Sequence, residues 1–181
     1  MRKSALLFLA AFAGSAAAVS APASQDGFIA LGGGLNLPNG EIRDLTGSKY
    51  GMHLNLGLGA WGTALVGFPT FEFDWGHVTG KGNRLDTVNM IYCERVMLQE
   101  GVYIGGGAGT SWIRLVRQAP LVEGETVGGD DSKENTFNFC LRGMIGMTVF
   151  RQFYIEGAAF YNGNIDGVDA NALAVLAGVR F

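Results

Sequence analysis

Apolar residues recur along much of this chain at every second position, and the repeat is broken at intervals by Gly, Asn and charged residues. Side chains of an extended strand alternate between two faces, so this period predicts strands with one apolar side. The clearest is the last. Over 171–181, NALAVLAGVRF, Leu173, Val175, Ala177, Val179 and Phe181 share one face, while Ala174, Leu176, Gly178 and Arg180 share the other. Strand one, 27–37, sets Ile29, Leu31, Leu35 and Leu37 against Ala30, Gly32, Gly34 and Asn36. Strand two, 50–60, sets Met52, Leu54, Leu56 and Leu58 against His53 and Asn55. Strand three, 64–75, has Phe71, Phe73 and Trp75 opposite Glu72 and Asp74. Pro69 cannot donate to a ladder, which predicts a bulge that could switch faces between Phe68 and Phe71.

The middle of the chain is harder to register. Strand four, 85–96, contains adjacent Glu94 and Arg95, and strand five, 102–116, is dominated by Gly105, Gly106, Gly107 and Gly109. Such glycines leave room for large side chains from neighbouring strands. Strand six, 136–149, is unambiguous, with Phe137, Phe139, Leu141, Ile145, Met147 and Val149 facing away from Asn138, Cys140 and Arg142. Strand seven, 153–162, carries Glu156 on its polar face.

The count is eight strands, an all-β chain. Long connections (38–48, 76–84, 117–135, 163–169) alternate with short turns (61–63, 97–101, 150–152). The uncharged run 50–71 is long enough for a membrane helix, but its period of two and its Gly and Pro69 argue for strands. A strand of about ten residues with one apolar face suffices to cross a bilayer, and a closed set of eight leaves no unpaired edge in lipid. The loop asymmetry, the alternation and the terminal Phe181 resemble the small eight-stranded outer-membrane barrels of bacteria, the group of the OmpA transmembrane domain, OmpX and the Opa proteins. That resemblance implies an antiparallel up-and-down transmembrane β-barrel in the outer membrane, with its short turns in the periplasm. It also implies lipid and lipopolysaccharide as surroundings, and a barrel-assembly machinery that reads the last strand.

Residues 1–21 fit this setting. Arg2 and Lys3 precede an apolar run from Ala5 to Ala18 and small residues near a cleavage point between 18 and 23, the pattern of a secretory signal, leaving 22–181 as the barrel. No Cys lies nearby for a lipid anchor. Without Arg2 and Lys3 the formal charge of −3 falls to about −5, so nothing points to a nucleic-acid partner.

Motifs that could carry chemistry are weak. Gly57-Leu58-Gly59-Ala60-Trp61-Gly62 matches G-x-G-x-x-G, but a β pattern with Pro69 follows where a dinucleotide site needs a helix. Asn162 to Gly167 resembles half a calcium loop, yet its twelfth position is Leu173 and not a bidentate Glu. Some barrels of this size are lipid A deacylases with a His-x-Ser-Asn signature. His53 is followed by Leu54-Asn55 and His77 by Val78-Thr79, so the signature is absent at both histidines and His77 reads as a solvated loop residue near Asp74. No metal, cofactor or catalytic residue is expected.

The polar faces carry the more informative pattern. Glu72, Asp74, Glu156, Arg142 and Arg180, with Arg95 and Arg114, are expected to face inward and pair, because an unpaired charge in a narrow lumen is costly. Trp75, Tyr50, Trp112, Phe28, Trp61, Phe153 and Phe181 are expected to form interfacial girdles. Glu123, Glu125, Asp130, Asp131 and Glu134 in the 117–135 loop outnumber Arg117 and Lys133, making this acidic loop the expected surface for contact. Cys93 and Cys140, on strands four and six, should stand roughly 11 Å apart between α-carbons, beyond the about 7 Å a disulfide spans. The pattern therefore reads as a non-enzymatic barrel for surface interaction or envelope integrity, its lumen plugged by ion pairs; an enzyme of outer-leaflet lipid and a narrow pore are the alternatives. Deleting Phe181 should reduce outer-membrane levels far more than it reduces the stability of protein refolded in detergent, as quantitative fractionation of cells would register.

Overall fold

Strands with one apolar face cannot rest until both edges are hydrogen-bonded and that face is out of water. The computed structural model, which describes residues 27–60, 68–118, 132–149 and 152–181, meets the first condition by closure. Its elements are β1 (Gly27–Pro38), α1 (Gly40–Thr46), β2 (Gly51–Ala60), β3 (Phe68–Gly80), β4 (Asn83–Gln99), β5 (Val102–Arg117), β6 (Ser132–Val149), β7 (Phe153–Tyr161), β8 (Asn164–Ile165), β9 (Val168–Asp169) and β10 (Ala172–Arg180). All but α1 and the small β8–β9 hairpin form one closed barrel in the order β1-β10-β7-β6-β5-β4-β3-β2. Every pairing is antiparallel. The seam is tied at its end by reciprocal backbone hydrogen bonds between Ile29 and Phe181, at 3.1 and 2.9 Å.

The second condition is met by lipid. Leu31, Leu54, Met90, Ile104, Phe139, Ile145, Ile155 and Val175 all face outward and exposed, with Ile145 at 59% exposure, while Glu72 inside is at 1%. An apolar wall around a charged lumen is the reverse of a water-soluble domain and defines a transmembrane β-barrel. No helix among the described residues is long and apolar enough to cross a membrane, and none is needed.

Several boundaries differ from those read in the sequence. The segment 76–84 is not a loop: β3 runs to Gly80 and pairs with Asn83, leaving Lys81 and Gly82 as a two-residue turn with positive φ of 49° and 75°. Both central residues of such a type I′ hairpin need positive φ. The Gly-rich, polar composition concealed a continuing alternation, in which His77 and Thr79 point out and Val78 points in. Above the membrane the outward face no longer needs to be apolar. Pro69 causes no bulge, since β3 keeps one register with β4 from Phe68 to Gly80. Phe68 is buried and Phe71 exposed simply because their positions differ by an odd number. Pro69 is tolerated because the ladder with β2 stops at the Gly59–Thr70 pair. β4 extends to Gln99, β7 stops at Tyr161, and β6 begins at Ser132, which places Glu134 in a strand opposite Leu115 rather than in the loop. The turn 61–63, the start of strand three at 64–67, the turn residues 150–151, residues 1–26 and the loop acids Glu123, Glu125, Asp130 and Asp131 lie outside the described residues.

The wall is uneven. β4, β5 and β6 have 17, 16 and 18 residues, whereas β7 and β10 have 9 each. Over the end opposite the termini lie α1, where a polar loop was expected, and the β8–β9 hairpin. Asn39 caps the helix by accepting from Ile42 N–H at 3.0 Å, and Gly47 closes it in the left-handed conformation at φ 69°. Ile42 and Ile165 from these pieces pack with Val78, Leu85, Ile113 and Leu115 of the tall strands into a small apolar core. Asn39 Nδ2 donates to Asp169 O, and Asp169 N to Glu41, both at 2.7 Å, so helix and hairpin are tied to each other.

Inside, small and large residues alternate across the lumen. A methyl group on Gly32 or Gly178 would overlap the Tyr154 side chain, and one on Gly146 would overlap Tyr103. Gly143, by contrast, faces outward with nothing within 4 Å of an added Cβ. Gly178→Val should therefore cost about 1–3 kcal/mol through overpacking, and Gly143→Ala should change stability by under about 0.5 kcal/mol. Urea titration in lipid vesicles followed by tryptophan fluorescence would compare them; equal losses would contradict this packing.

Candidate functional site

The lumenal layer is assembled from residues on six strands. β3 supplies Thr70, Glu72 and Asp74, because its even positions point inward; β4 supplies Arg95, β6 Arg142, β7 Tyr154 and Glu156, β5 Tyr103, and β10 Arg180. All are buried. β3 and β7 lie four strands apart in either direction around the barrel, so their carboxylates face each other across the lumen.

Arg142 spans that gap. Its Nη1 donates to Glu72 and, at 2.8 Å, to Asp74 on β3, while Nη2 donates to Glu156 on β7. A planar guanidinium with several N–H donors can hold carboxylates on opposite walls at once, which an ammonium cannot do as well. Arg95 makes a second bridge, pairing with Glu72 and, at 3.2 Å, with Glu156, and donating to Thr70 Oγ1. Arg180 makes a third. It donates to Tyr103 OH at 3.1 Å and Thr148 Oγ1 at 2.9 Å, and its guanidinium lies 4.7 Å from the Tyr154 ring centroid and 5.4 Å from that of Phe68. Tyr103 in turn donates to Glu156 at 2.9 Å. Three carboxylates thus meet the guanidiniums of Arg142 and Arg95 directly, and that of Arg180 joins them through Tyr103.

Neutral groups complete it. Asn55 Nδ2 donates to Glu72 and Asp74 at 3.0 Å each, and its Oδ1 accepts from Tyr154 OH at 3.3 Å. His53 Nε2 lies 2.9 Å from Asp74 Oδ1, and its ring packs 5.0 Å from Phe160. With the lone pairs of the acids taken up in this way, the desolvation cost of burying six charges is offset by pairing and by hydrogen bonds to the charged forms.

Sequence reasoning missed Tyr103, Tyr154, Thr70, Phe28 and Phe68 as parts of this layer. Phe28, read as a girdle residue, is buried in the lumen with Ala30, Phe68 and Tyr154. The signal was available, since Phe28 has the parity of the inward Ala30 and not of the outward Ile29. Arg114 is a second correction. It shares parity with Trp112 and faces outward on β5, because the inward face there runs through Ser111, Ile113 and Leu115. His77 is a third. It lies in β3 on the outer wall, with Nδ1 2.7 Å from Asp86 Oδ1 and its ring stacked on Trp75 at 5.4 Å. Trp75, Trp112, Tyr50, Phe153 and Phe181 lie on the outside, and Trp61 is outside the described residues.

Neither histidine has a hydroxyl or thiol hydrogen-bond partner among the described residues. No group of three His, Cys, Asp or Glu residues there could hold a metal ion. Cys93 and Cys140 are both free, buried in one apolar cluster with Ile91 and Phe160. The segment that resembled half a calcium loop forms the tight β8–β9 hairpin, with Asn164 Oδ1 accepting from Gly167 N at 2.9 Å.

Fold and site together define a class: closed eight-stranded transmembrane barrels with a lipid-facing wall and a cross-paired lumen. No protein-family model and no curated protein sequence matches the chain. Solved structures do share its fold. Ail, the attachment invasion locus protein of Yersinia pestis, is 13% identical with a TM-score of 0.60, covering 86% of this chain and 97% of that one. Ail in complex with the heparin analogue sucrose octasulfate gives 12% and 0.61, over 88% and 100%. Neisserial surface protein A gives 14% and 0.56, over 87% and 98%. At these identities the likeness establishes the architecture.

Removing one partner from a buried ion pair costs more than the pair contributes, because a charge is left uncompensated. Arg142→Ala, which strands Glu72, Asp74 and Glu156 at once, should destabilise the barrel by about 3–5 kcal/mol. Arg142→Lys should recover only part of this. Urea midpoints in vesicles would show the order wild type, Lys, Ala; coincident midpoints would mean that the network contributes nothing.

Proposed function

We propose that this chain is a non-enzymatic outer-membrane barrel of a Gram-negative bacterium that acts by contacts made on its extracellular side or by reinforcing the envelope. In this reading residues 1–21 are a signal peptide removed between 18 and 23, and residues 22–181 form the barrel. The strand carrying Leu173, Val175, Ala177, Val179 and Phe181 is the segment the assembly machinery reads. The observation that supports the proposal is the arrangement of side chains within the barrel and over its end. Ion pairs join opposite walls through Arg142, and the apolar core under α1 and the β8–β9 hairpin covers the far end. Eight strands enclose a space that side chains alone can fill.

On this reading the lumen is plugged, and the wall and the extracellular loops are the surfaces where function lies. The absence of a nucleophile paired with either histidine among the described residues favours contact over catalysis. Ail has been solved with a heparin analogue bound. In this chain the acids Glu123, Glu125, Asp130 and Asp131 of the long loop disfavour a polyanion and suit a cationic surface.

Purified wild-type protein in planar bilayers should give no steady, reproducible conductance. Arg142→Ala should be measurably more permeable, because the bridge between β3 and β7 is gone. A stable wild-type conductance of porin size would replace the surface reading with that of a pore.

A further inference from the structure

The corrected parity of β5 puts a cationic cluster on the outside of the barrel. Rows of outward residues follow from the register. Trp75 pairs with Val88, Val88 with Trp112, and Trp112 with Phe137, an aromatic-rich row across β3 to β6 of the kind that marks a membrane interface. One step further from the termini the row reads His77, Asp86, Arg114, Asn135, and the next reads Thr79, Arg84, Val116, Lys133. Ionisable groups therefore begin immediately above the aromatic row. Arg84, Arg114 and Lys133 stand about 8 to 10 Å apart, given about 4.8 Å between strands and about 3.4 Å per residue.

Asp86 is the one acid facing this patch among the described residues of β3 to β6, and both its oxygens are occupied. Oδ1 lies 2.7 Å from His77 Nδ1, and Oδ2 accepts from Arg84 Nε at 2.6 Å. Arg114, although opposite Asp86 in register, forms no ion pair with a described residue, nor does Lys133, and the Nη groups of Arg84 have no described partner. Arg84 and Lys133 are exposed and Arg114 is half-buried. The chain as a whole is acidic, so three bases gathered at this level are not a reflection of bulk composition.

We infer that Arg84, Arg114 and Lys133 form a binding site on the outer wall for the phosphates of the outer-leaflet glycolipid. The depth argues for lipid: Arg114 is two residues beyond Trp112 on the same face, where headgroups and not acyl chains meet the wall. The charge argues for phosphate, whose oxygens accept from guanidinium forks. His77, held by Asp86 and stacked on Trp75, braces the side of the patch next to the aromatic row. This inference rests on the outer-membrane reading above and adds to it the residues and the headgroup chemistry.

The test uses full-length mature protein refolded in detergent, with the folded state scored by heat-dependent gel mobility, and native mass spectrometry to count retained lipid. Wild type should retain diphosphoryl lipid A at least about tenfold better than dephosphorylated lipid A or phosphatidylcholine, and the preference should weaken with salt. The triple variant Arg84→Gln, Arg114→Gln, Lys133→Gln should lose that preference, while Arg43→Gln, on α1 over the end of the barrel and off its outer wall, should keep it. Folded wild type that shows no phosphate preference, or a triple variant that keeps it, overturns the inference and leaves the barrel reading intact. If the triple variant does not fold, the wild-type comparison between the two forms of lipid A decides alone. Failure of the wild type to fold in detergent or lipid would overturn the outer-membrane reading itself.

Discussion

A guanidinium sealed inside a narrow barrel must find its counter-charges in the protein, and Arg142 does so through Nη1 and Nη2, which touch carboxylates on two opposite walls while its Nε stays without a hydrogen-bond partner. Much of the interior follows from that demand. Glu72 and Asp74 have to occupy the same face of β3, so their positions differ by two, and Glu156 has to come from the strand diametrically opposite. Asn55 and Thr70 take up further lone pairs of the acids, and Tyr103 and Tyr154 bring hydroxyls to the same layer. Side chains of this length need empty space to cross. The inward glycines of β1, β6 and β10 provide it, since a methyl at Gly32, Gly146 or Gly178 would collide with the tyrosines. These three glycines are thus the counterpart of the buried tyrosines.

The outside obeys a simpler constraint, and it changes along each strand. Between the aromatic row and the termini, outward side chains are mostly apolar, Glu94 and Thr110 excepted, because they meet acyl chains, an environment that offers no hydrogen bonds. Beyond that row the same faces accept His77, Asp86, Arg84 and Lys133, while the inward faces stay apolar at Val78, Leu85, Ile113 and Leu115. Polarity inverts along a single strand: charged inside and apolar outside in the membrane, apolar inside and charged outside above it. The upper part behaves as a small water-soluble fold, with α1 and the β8–β9 hairpin covering the core on the side where β7 and β10 end early.

That Ail and Neisserial surface protein A reach the same fold at 13% and 14% identity is consistent with this division. The wall requires only that an apolar residue stand at each outward position within the bilayer, a demand many side chains satisfy.

Strand number, outward faces and the inward setting of Glu72, Asp74, Glu156, Arg142 and Arg180 could be read from alternation alone, because a period of two is a local property of the chain. Parity propagates two residues at a time without reference to any partner, so β1, β2, β6 and β10 were legible wherever apolar side chains marked one face. β5 was not. Its glycines carry no side chain to mark a face, and Arg114 was misplaced until pairing with β4 and β6 fixed the register. Where the strands leave the bilayer the outward faces lose their hydrophobic signature, so 76–84 and the start of β6 resembled loops although they continue the ladder. The partners of each charge depend on barrel closure, which alone sets β3 opposite β7 and brings Arg180 to Tyr103. Alternation determined what faces lipid and what faces the lumen; only the closed tertiary structure decided which charges meet across it.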